Sequence, residues 1–178
     1  MSKLIIFPTD TVYGIGCYIY DVYNIDKIYQ IKNRSKDKPL ACLCSSLEQI
    51  KSIAYTDDKI DEIIDRFLPG ALTLILKSKE EVKEKIGYET IGVRIPDNKL
   101  ALKILNEVGP MLTTSVNDSG CSPMNEYDDI VSKYQNVVDE IYPPCGKSSN
   151  LSSTVISCVD GFKVIREGTI SLNDILNV

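Results

Sequence analysis

Apolar residues along this chain follow two rhythms. Short, continuous or β-branched runs predict strands at Leu4–Phe7, Leu40–Cys44, Leu72–Lys77, Ile91–Ile95, Leu112–Val116, Val137–Ile141, Thr154–Cys158 and Lys163–Arg166. Between them the apolar positions recur at helical spacing. Val22, Ile25, Ile28, Tyr29 and Ile31 form one stripe behind Asp21, a natural N-cap. Ser46 can cap a short helix. Asp57 or Asp58 can open one through Ile60, Ile63, Ile64 and Phe67, stopped by Pro69-Gly70. Asp97 or Asn98 can open another through Leu100, Leu102, Ile104 and Leu105, closed by Gly109-Pro110, and Asp128 and Asn173 two more.

Strands alternating with helices around one core predict an α/β or α+β sandwich. Val159 to Phe162 would turn the last two strands into a hairpin, which favours a mixed sheet over a purely parallel one. With 178 residues, no repeat and no linker, the chain is expected to form a single domain over 1–178. No apolar run approaches the ~20 residues of a membrane span, and MSKLIIF is too short for a signal peptide. A soluble, cytoplasmic protein with no membrane partner is expected.

Composition narrows the chemistry. There is no histidine, which excludes a histidine base, a Ser-His-Asp triad and a histidine metal site. Six cysteines stand at 17, 42, 44, 121, 145 and 158 without a C-x-x-C pair, so neither zinc nor haem is expected. Cys42 and Cys44 read as small buried hydrophobes on one side of a strand. Net charge is −5, yet Lys27 to Lys38 holds Lys27, Lys32, Arg34, Lys36 and Lys38 against Asp37 alone. That stretch is either a solvated helix end with a basic loop or an anion site. Lysine far outnumbers arginine, so Arg34, Arg66, Arg94 and Arg166 are candidates for sites that need a planar, bidentate donor.

Five segments end elements in small, polar or cationic residues: Thr9-Asp10-Thr11, KNRSKDKPL (32–40), VRIP (93–96), LTTSVNDSG (112–120) and SSNLSSTVIS (148–157), the last followed by Arg166. Hydroxyls, amides and N–H groups at strand ends suit the oxygens of phosphates and carboxylates. In extended backbone, Lys32 and Arg34 would share one side, as would Ser115 and Asn117. Each segment alone has a plainer reading as a cap, an Asx turn or an edge salt bridge. GKS at 146–148 is not a P-loop, because Ile141 stands where the first glycine is required. YGIGC lacks the third glycine of a dinucleotide fingerprint.

PTDTVYGIG, KNRSKDKPL, LPGALTLIL, GVRIP, TTSVNDSG, SSTVIS and IREG occur in the order seen in the YrdC/Sua5 family, and the chain resembles that family over about residues 4 to 170. The resemblance implies a twisted, open, mixed β-sheet flanked by helices, with a deep positively charged cavity. It implies synthesis of L-threonylcarbamoyladenylate and pyrophosphate from L-threonine, bicarbonate and ATP, for N6-threonylcarbamoyladenosine in tRNA. Lys32, Arg34, Ser115 and Asn117 match the family's K-x-R and S-x-N pairs and would be catalytic. Arg34, Lys38, Thr90, Ser115 and Arg166 would face ATP, and Thr11, Arg94, Thr113 and Ser153 would face L-threonine or its carbamate. Mg²⁺ is expected with ATP, held by the nucleotide and water, since no carboxylate cage is evident and no protein metal ligand is assigned. tRNA or double-stranded RNA and downstream threonylcarbamoyl-transferase proteins are the implied partners.

On this reading Lys32 and Arg34 neutralise polyphosphate and transition-state charge, Arg94 clamps the threonine carboxylate, and Ser115 and Asn117 orient phosphate or carbamate oxygens. Gly14 and Gly16 would let a substrate-facing loop pass close by, with Asp10 and Tyr13 either supporting it or lining the site. Three features depart from the family pattern. The chain opens on its first strand without the usual preceding helix, Ser35 replaces a proline and Val116 an alanine. One side of the sheet is then expected to be less covered, or open to a partner. The chain also ends soon after Arg166, as in the family's short form. The rival readings are a paralogue that adenylates a carbamate without serving tRNA efficiently, a nucleotide-binding subunit without chemistry, and an RNA-binding module. Acidic net charge counts against the last.

Overall fold

The computed structural model describes residues 3–176. In it nine strands form one mixed sheet, flanked by seven helices. The strands are β1 (Ile5–Phe7), β2 (Gly14–Tyr18), β3 (Ala41–Leu43), β4 (Leu72–Lys77), β5 (Thr90–Arg94), β6 (Met111–Ser115), β7 (Glu140–Ile141), β8 (Thr154–Ser157) and β9 (Lys163–Arg166), in spatial order β7-β1-β2-β6-β3-β5-β4-β8-β9. The helices are α1 (Val22–Ile31), α2 (Leu47–Ile53), α3 (Asp58–Phe67), α4 (Glu80–Ile86), α5 (Lys99–Val108), α6 (Tyr127–Tyr134) and α7 (Leu172–Leu176). No helix among the described residues is long and apolar enough to cross a membrane.

Five helices start where a side chain can take up an orphan N–H. Asp21 accepts from the amide of Asn24, Ser46 from Gln49, Asp57 from Ile60, Asn98 from both Leu100 and Ala101, and Ser171 from Asp174, where Asn173 was the expected cap and lies inside α7 instead. For α6 the expected cap is wrong: Glu126 holds the N-cap position without a side-chain bond, and Asp128 lies inside the first turn. Helix α4 carries one buried apolar side chain, Val82, so its sequence showed no stripe. The strand expected over Val137–Ile141 shrinks to two residues, because Val138 turns inward to the core before the chain reaches the sheet edge.

The largest correction is β2. Gly14 and Gly16 were expected in a substrate-facing loop; they lie in a strand, GIGCY, between β1 and β6. Its glycines are there for space. A Cβ on Gly16 would lie 2.5 Å from Thr113 Oγ1 and 2.9 Å from the carbonyl oxygen of Leu112, and a Cβ on Gly14 would lie 2.7 Å from Thr113 Cγ2. The Thr113 side chain thus lies flat across both.

The two faces of the sheet are filled differently. Ile6, Ile15, Cys17, Cys42, Val93, Leu74 and Leu112 belong to the main core, together with Ile25 and Ile28 of α1, Ile63 and Ile64 of α3 and Ile130 of α6. The opposite face has a smaller cluster in which Ala101, Ile104 and Leu105 of α5 pack with Ile5, Phe7, Leu43 and Met111. Helix α5 covers only one end of that face. Burying a large apolar side chain contributes about 1.5–3 kcal/mol, so both clusters fix the central strands firmly.

Replacing Gly14 or Gly16 by alanine is expected to cost about 1–3 kcal/mol through overpacking. Thr113→Ser removes the methyl that meets position 14 but keeps the oxygen that meets position 16. Urea midpoints should therefore show it rescuing Gly14→Ala and not Gly16→Ala. Equal rescue of both would contradict this packing.

Candidate functional site

Side chains alternate between the faces of a strand, and on the face that α5 leaves bare the central strands carry small or polar residues. The register pairs Gly14 with Ser115, Gly16 with Thr113, Ala41 with both Thr113 and Gly92, and Thr73 with Val155. With so few bulky side chains there, a cavity of about 410 Å³ remains over the middle of the sheet. Its walls come from the β1–β2 turn, the 34–39 loop, the 152–153 segment and β9. Among the described residues the lining includes Arg34, Arg94 and Arg166 and no carboxylate.

Arg94 ends β5 and is 6% exposed. Nε donates to the Gly70 carbonyl at 2.8 Å, Nη1 to Thr11 Oγ1 at 2.7 Å, and Nη2 to Asp10 Oδ1 at 2.5 Å. Asp10 also accepts from the amide of Asp97 at 3.1 Å, so the carboxylate ties the β1–β2 turn to the end of β5. Burial lowers the proton affinity of the Arg94 guanidinium, and Asp10 opposes that shift. Of its five N–H donors, three are committed to protein.

Thr11 is buried against this group. Its hydroxyl accepts from Arg94 and shares a 3.0 Å hydrogen bond with Thr9 Oγ1. Thr9 Oγ1 in turn donates to the Val12 carbonyl at 2.7 Å. Ser148 Oγ donates to the Thr11 carbonyl, and the Ser149 amide donates to the Asp10 carbonyl at 2.9 Å, which brings the 148–153 segment over the turn. Ser153 Oγ is 2.8 Å from Thr73 Oγ1, and Arg166 donates from Nε and Nη2 to the Ser153 carbonyl.

Lys32 is placed otherwise than the extended-segment argument expected. It is the C-cap of α1, in helical backbone, and Asn33 after it has φ 47°. The side chain is 2% exposed and lies outside the cavity lining. Its ammonium donates to the carbonyls of Ser115 and Asn117 and, at 2.6 Å, to Asn117 Oδ1. Asn117 likewise sits behind the wall: its Nδ2 donates to the Cys121 carbonyl, and its Oδ1 accepts from Ser115 Oγ at 2.7 Å. Burial, helped by Arg34, pushes the Lys32 pKa down to about 8.

Arg34 does line the cavity. Its Nε donates to the Lys38 carbonyl at 2.7 Å and Nη2 to the Pro39 carbonyl at 3.1 Å. Lys38 supplies that carbonyl, while its own side chain is exposed and outside the lining. Neither Arg34 nor Arg166 has an ion-pair partner within 4.0 Å among the described residues, unlike Arg94. Arg66, the fourth arginine, lies on the last turn of α3 beside the Phe67 ring and takes no part.

The cavity thus gathers Thr11, Arg34, Thr90, Arg94, Thr113, Ser115, Ser153 and Arg166, while Lys32, Lys38 and Asn117 stay outside its lining. Sequence reasoning missed Thr73 and Gly92, named Thr9 only as part of a candidate segment, and left the role of Asp10 open. The signal for Gly92 and Thr73 was there: each is a small residue two positions from another cavity residue, flanked in its strand by Leu, Ile or Val. Among the described residues no cluster of three or more His, Cys, Asp or Glu is placed to hold a metal ion.

Known proteins resemble this chain over nearly its whole length. The Sua5/YciO/YrdC family model, described as "Telomere recombination", matches residues 1–168. A Methanocaldococcus jannaschii protein named putative threonylcarbamoyl-AMP synthase is 34% identical over 173 residues, covering 96% of this chain and 82% of that one. The crystal structure of P. abyssi Sua5 complexed with L-threonine superposes with a TM-score of 0.90 at 30% identity, over 98% of this chain and 53% of that one. E. coli YciO superposes with a TM-score of 0.87 at 28% identity, over 98% and 87% of the two chains. The chain therefore spans about half of P. abyssi Sua5 and most of YciO.

The buried ammonium makes a signed prediction. The folded state gives up the Lys32 proton near pH 8 and the unfolded chain near 10.5, so the cost of burying the charge is full below pH 8 and is relieved as pH rises toward 10.5. Relative to Lys32→Met, the wild-type protein should gain stability with pH in that window, by about 1.4 kcal/mol per unit. Denaturant unfolding of both proteins at pH 7.5 and 9.5 measures it. A difference that stays constant or shrinks would contradict a depressed pKa.

Proposed function

The chain belongs to the Sua5/YciO/YrdC family, and we propose that it is an L-threonylcarbamoyladenylate synthase, a transferase that moves an adenylyl group from ATP to threonine carbamate. The observation that carries this reading is the cavity wall: it holds three arginines, of which Arg34 and Arg166 have no carboxylate partner among the described residues and Arg94 is bound to Thr11 and Asp10. The structure of P. abyssi Sua5 with L-threonine, and the synthase name of the M. jannaschii relative, support it.

In the proposed reaction the amine of L-threonine takes up CO2 from bicarbonate and loses a proton, giving a carbamate. A carbamate oxygen attacks the α-phosphorus of ATP, the bond to the β-phosphate oxygen breaks, and pyrophosphate leaves. The step needs position and charge neutralisation more than a protein base. Arg34 and Arg166 neutralise the phosphates, with Thr90 near them. Arg94 offers its two uncommitted N–H groups to the threonine carboxylate, held in place by Asp10, Thr11 and Gly70. Thr113 and Ser153 complete the threonine side. Lys32 and Asn117 act through Ser115 rather than on substrate, and Lys38 acts through its backbone carbonyl on Arg34.

Mg²⁺ belongs with ATP in this reading. Among the described residues the cavity wall offers it no carboxylate, so these residues do not form a protein-held magnesium site, and none of the roles above depends on one. The product would pass to threonylcarbamoyl-transferase proteins that modify tRNA. The close likeness to YciO favours a second reading, a paralogue with the same cavity but a different acceptor or weak tRNA role.

Purified protein incubated with ATP, L-threonine and bicarbonate should yield the adenylate by mass spectrometry, with pyrophosphate release that depends on threonine. Arg34→Ala and Arg94→Ala should each lower turnover efficiency by about 10- to 100-fold, the loss expected for a charge-assisted hydrogen bond. Product with another amine and not with threonine would favour the YciO-like reading. RNA binding without any adenylate would favour a non-enzymatic module.

A further inference from the structure

Asn98 caps α5, and the structure gives its side chain a second task. Its Oδ1 accepts from the amides of Leu100 at 3.1 Å and Ala101 at 3.0 Å, and its Nδ2 donates to the Cys145 carbonyl at 2.6 Å. A backbone amide only donates and a carbonyl only accepts, so these contacts fix which end of the carboxamide is which. Asn98 is 4% exposed, so bulk water offers neither end an easy replacement partner.

Cys145 opens an irregular stretch that leads to Ser152 and Ser153 in the cavity wall. Residues 146–151 are exposed. Gly146 has φ 77°, the left-handed conformation that glycine takes without strain. No helix or strand holds this strap, so individual bonds decide where it lies. Past Cys145, Ser148 Oγ donates to the Thr11 carbonyl, and the Ser149 amide donates to the Asp10 carbonyl at 2.9 Å. Asp10 and Thr11 are the residues whose side chains hold Arg94. Asp97, beside Asn98, gives its own amide to the Asp10 carboxylate at 3.1 Å. The start of α5 thus grips the β1–β2 turn directly through Asp97, and a second time through Asn98 and the strap. The GKS sequence at 146–148, which is not a P-loop, is the part of the strap between these moorings.

We propose that Asn98 is a positioning residue: it moors the strap at Cys145, and through Ser148 and Ser149 the strap keeps the turn that carries Asp10 and Thr11 set against Arg94. Without the Asn98 carboxamide the strap is held from the turn side alone, and the turn loses part of its backing. A ligand gripped by Arg94 then binds less well, while one gripped by Arg34 does not notice. That the first ligand is L-threonine and the second ATP rests on the function proposed above; the mooring does not.

Two variants separate mooring from capping. Asn98→Asp keeps an equally good cap but has no hydrogen for the Cys145 carbonyl, and Asn98→Ser caps with a side chain too short to reach it. Hydrogen exchange of the full chain, followed by NMR, should show the Ser149 amide exchanging about 3- to 10-fold faster in both, as expected when one supporting hydrogen bond is lost. The Asp97 amide, which reports on Asp10, should also exchange faster. The Leu102 amide, bonded to the Asn98 backbone carbonyl at 2.9 Å, should change by less than about twofold, because the cap is kept. An unchanged Ser149 rate, or a Leu102 rate that rises as much, overturns the mooring. A faster Ser149 with an unchanged Asp97 overturns the link from strap to turn. In the enzyme assay, KM for L-threonine should rise about 3- to 10-fold, with kcat and KM for ATP held within about twofold. A fall in kcat with KM for L-threonine unchanged, or no kinetic change, overturns the effect on the Arg94 side. If the wild type forms no adenylate, the proposed function falls, and the three exchange rates still decide whether Asn98 positions the strap and the turn.

Discussion

Consecutive side chains of a β-strand point to opposite faces of its sheet, so each central strand here serves a core and a cavity at once. Val93 is buried in the main core between Gly92 and Arg94, which line the cavity. Leu112 and Thr113, or Leu74 and Thr73, divide the same way. The large side chains on one face supply the stability that lets the other face stay small, polar and open. A one-residue slip of any of these strands would exchange the two faces and lose both.

Two buried cations turn that open face into a site. Taking a charge out of water is costly unless hydrogen bonds offset it, and each of the two has three oxygen partners in the protein. Lys32 finds three oxygens at the end of β6, and Arg94 finds a carboxylate, a hydroxyl and a carbonyl. Each knits together segments distant in sequence. Arg94 joins the β1–β2 turn to β5 and to the stretch before β4, and Lys32 joins the end of α1 to the loop after β6. The carboxylate beside Arg94 reduces its net charge, so the unpaired anion-attracting charge of the cavity resides in Arg34 and Arg166.

The division of labour between donors and acceptors follows from these bonds. Hydroxyls are adaptable when free, and fixed when a stronger partner claims the hydrogen. Asn117 claims the hydrogen of Ser115 and the Met111 carbonyl that of Thr113, and the arginines supply the side-chain N–H donors of the lining.

Much of this was legible in the chain. The strand runs at Leu72–Lys77 and Lys163–Arg166, the capped helices behind Asp21, Ser46, Asp57 and Asn98, and the gathering of Thr11, Arg34, Arg94, Ser115 and Arg166 all follow from local pattern or motif order. Local pattern failed at GIGCY, which reads as a turn until Thr113 from a strand almost a hundred residues later is laid across it. It failed again at K-x-R and S-x-N, where two-residue spacing suggested paired ligands and the structure turns Lys32 and Asn117 inward. Which residues are present, and how often apolar ones recur, is information the sequence holds by itself. Which hydrogen goes to which oxygen depends on atoms brought together from distant segments. Only the tertiary structure could decide it, because the saturation of a buried donor is a property of its whole surroundings.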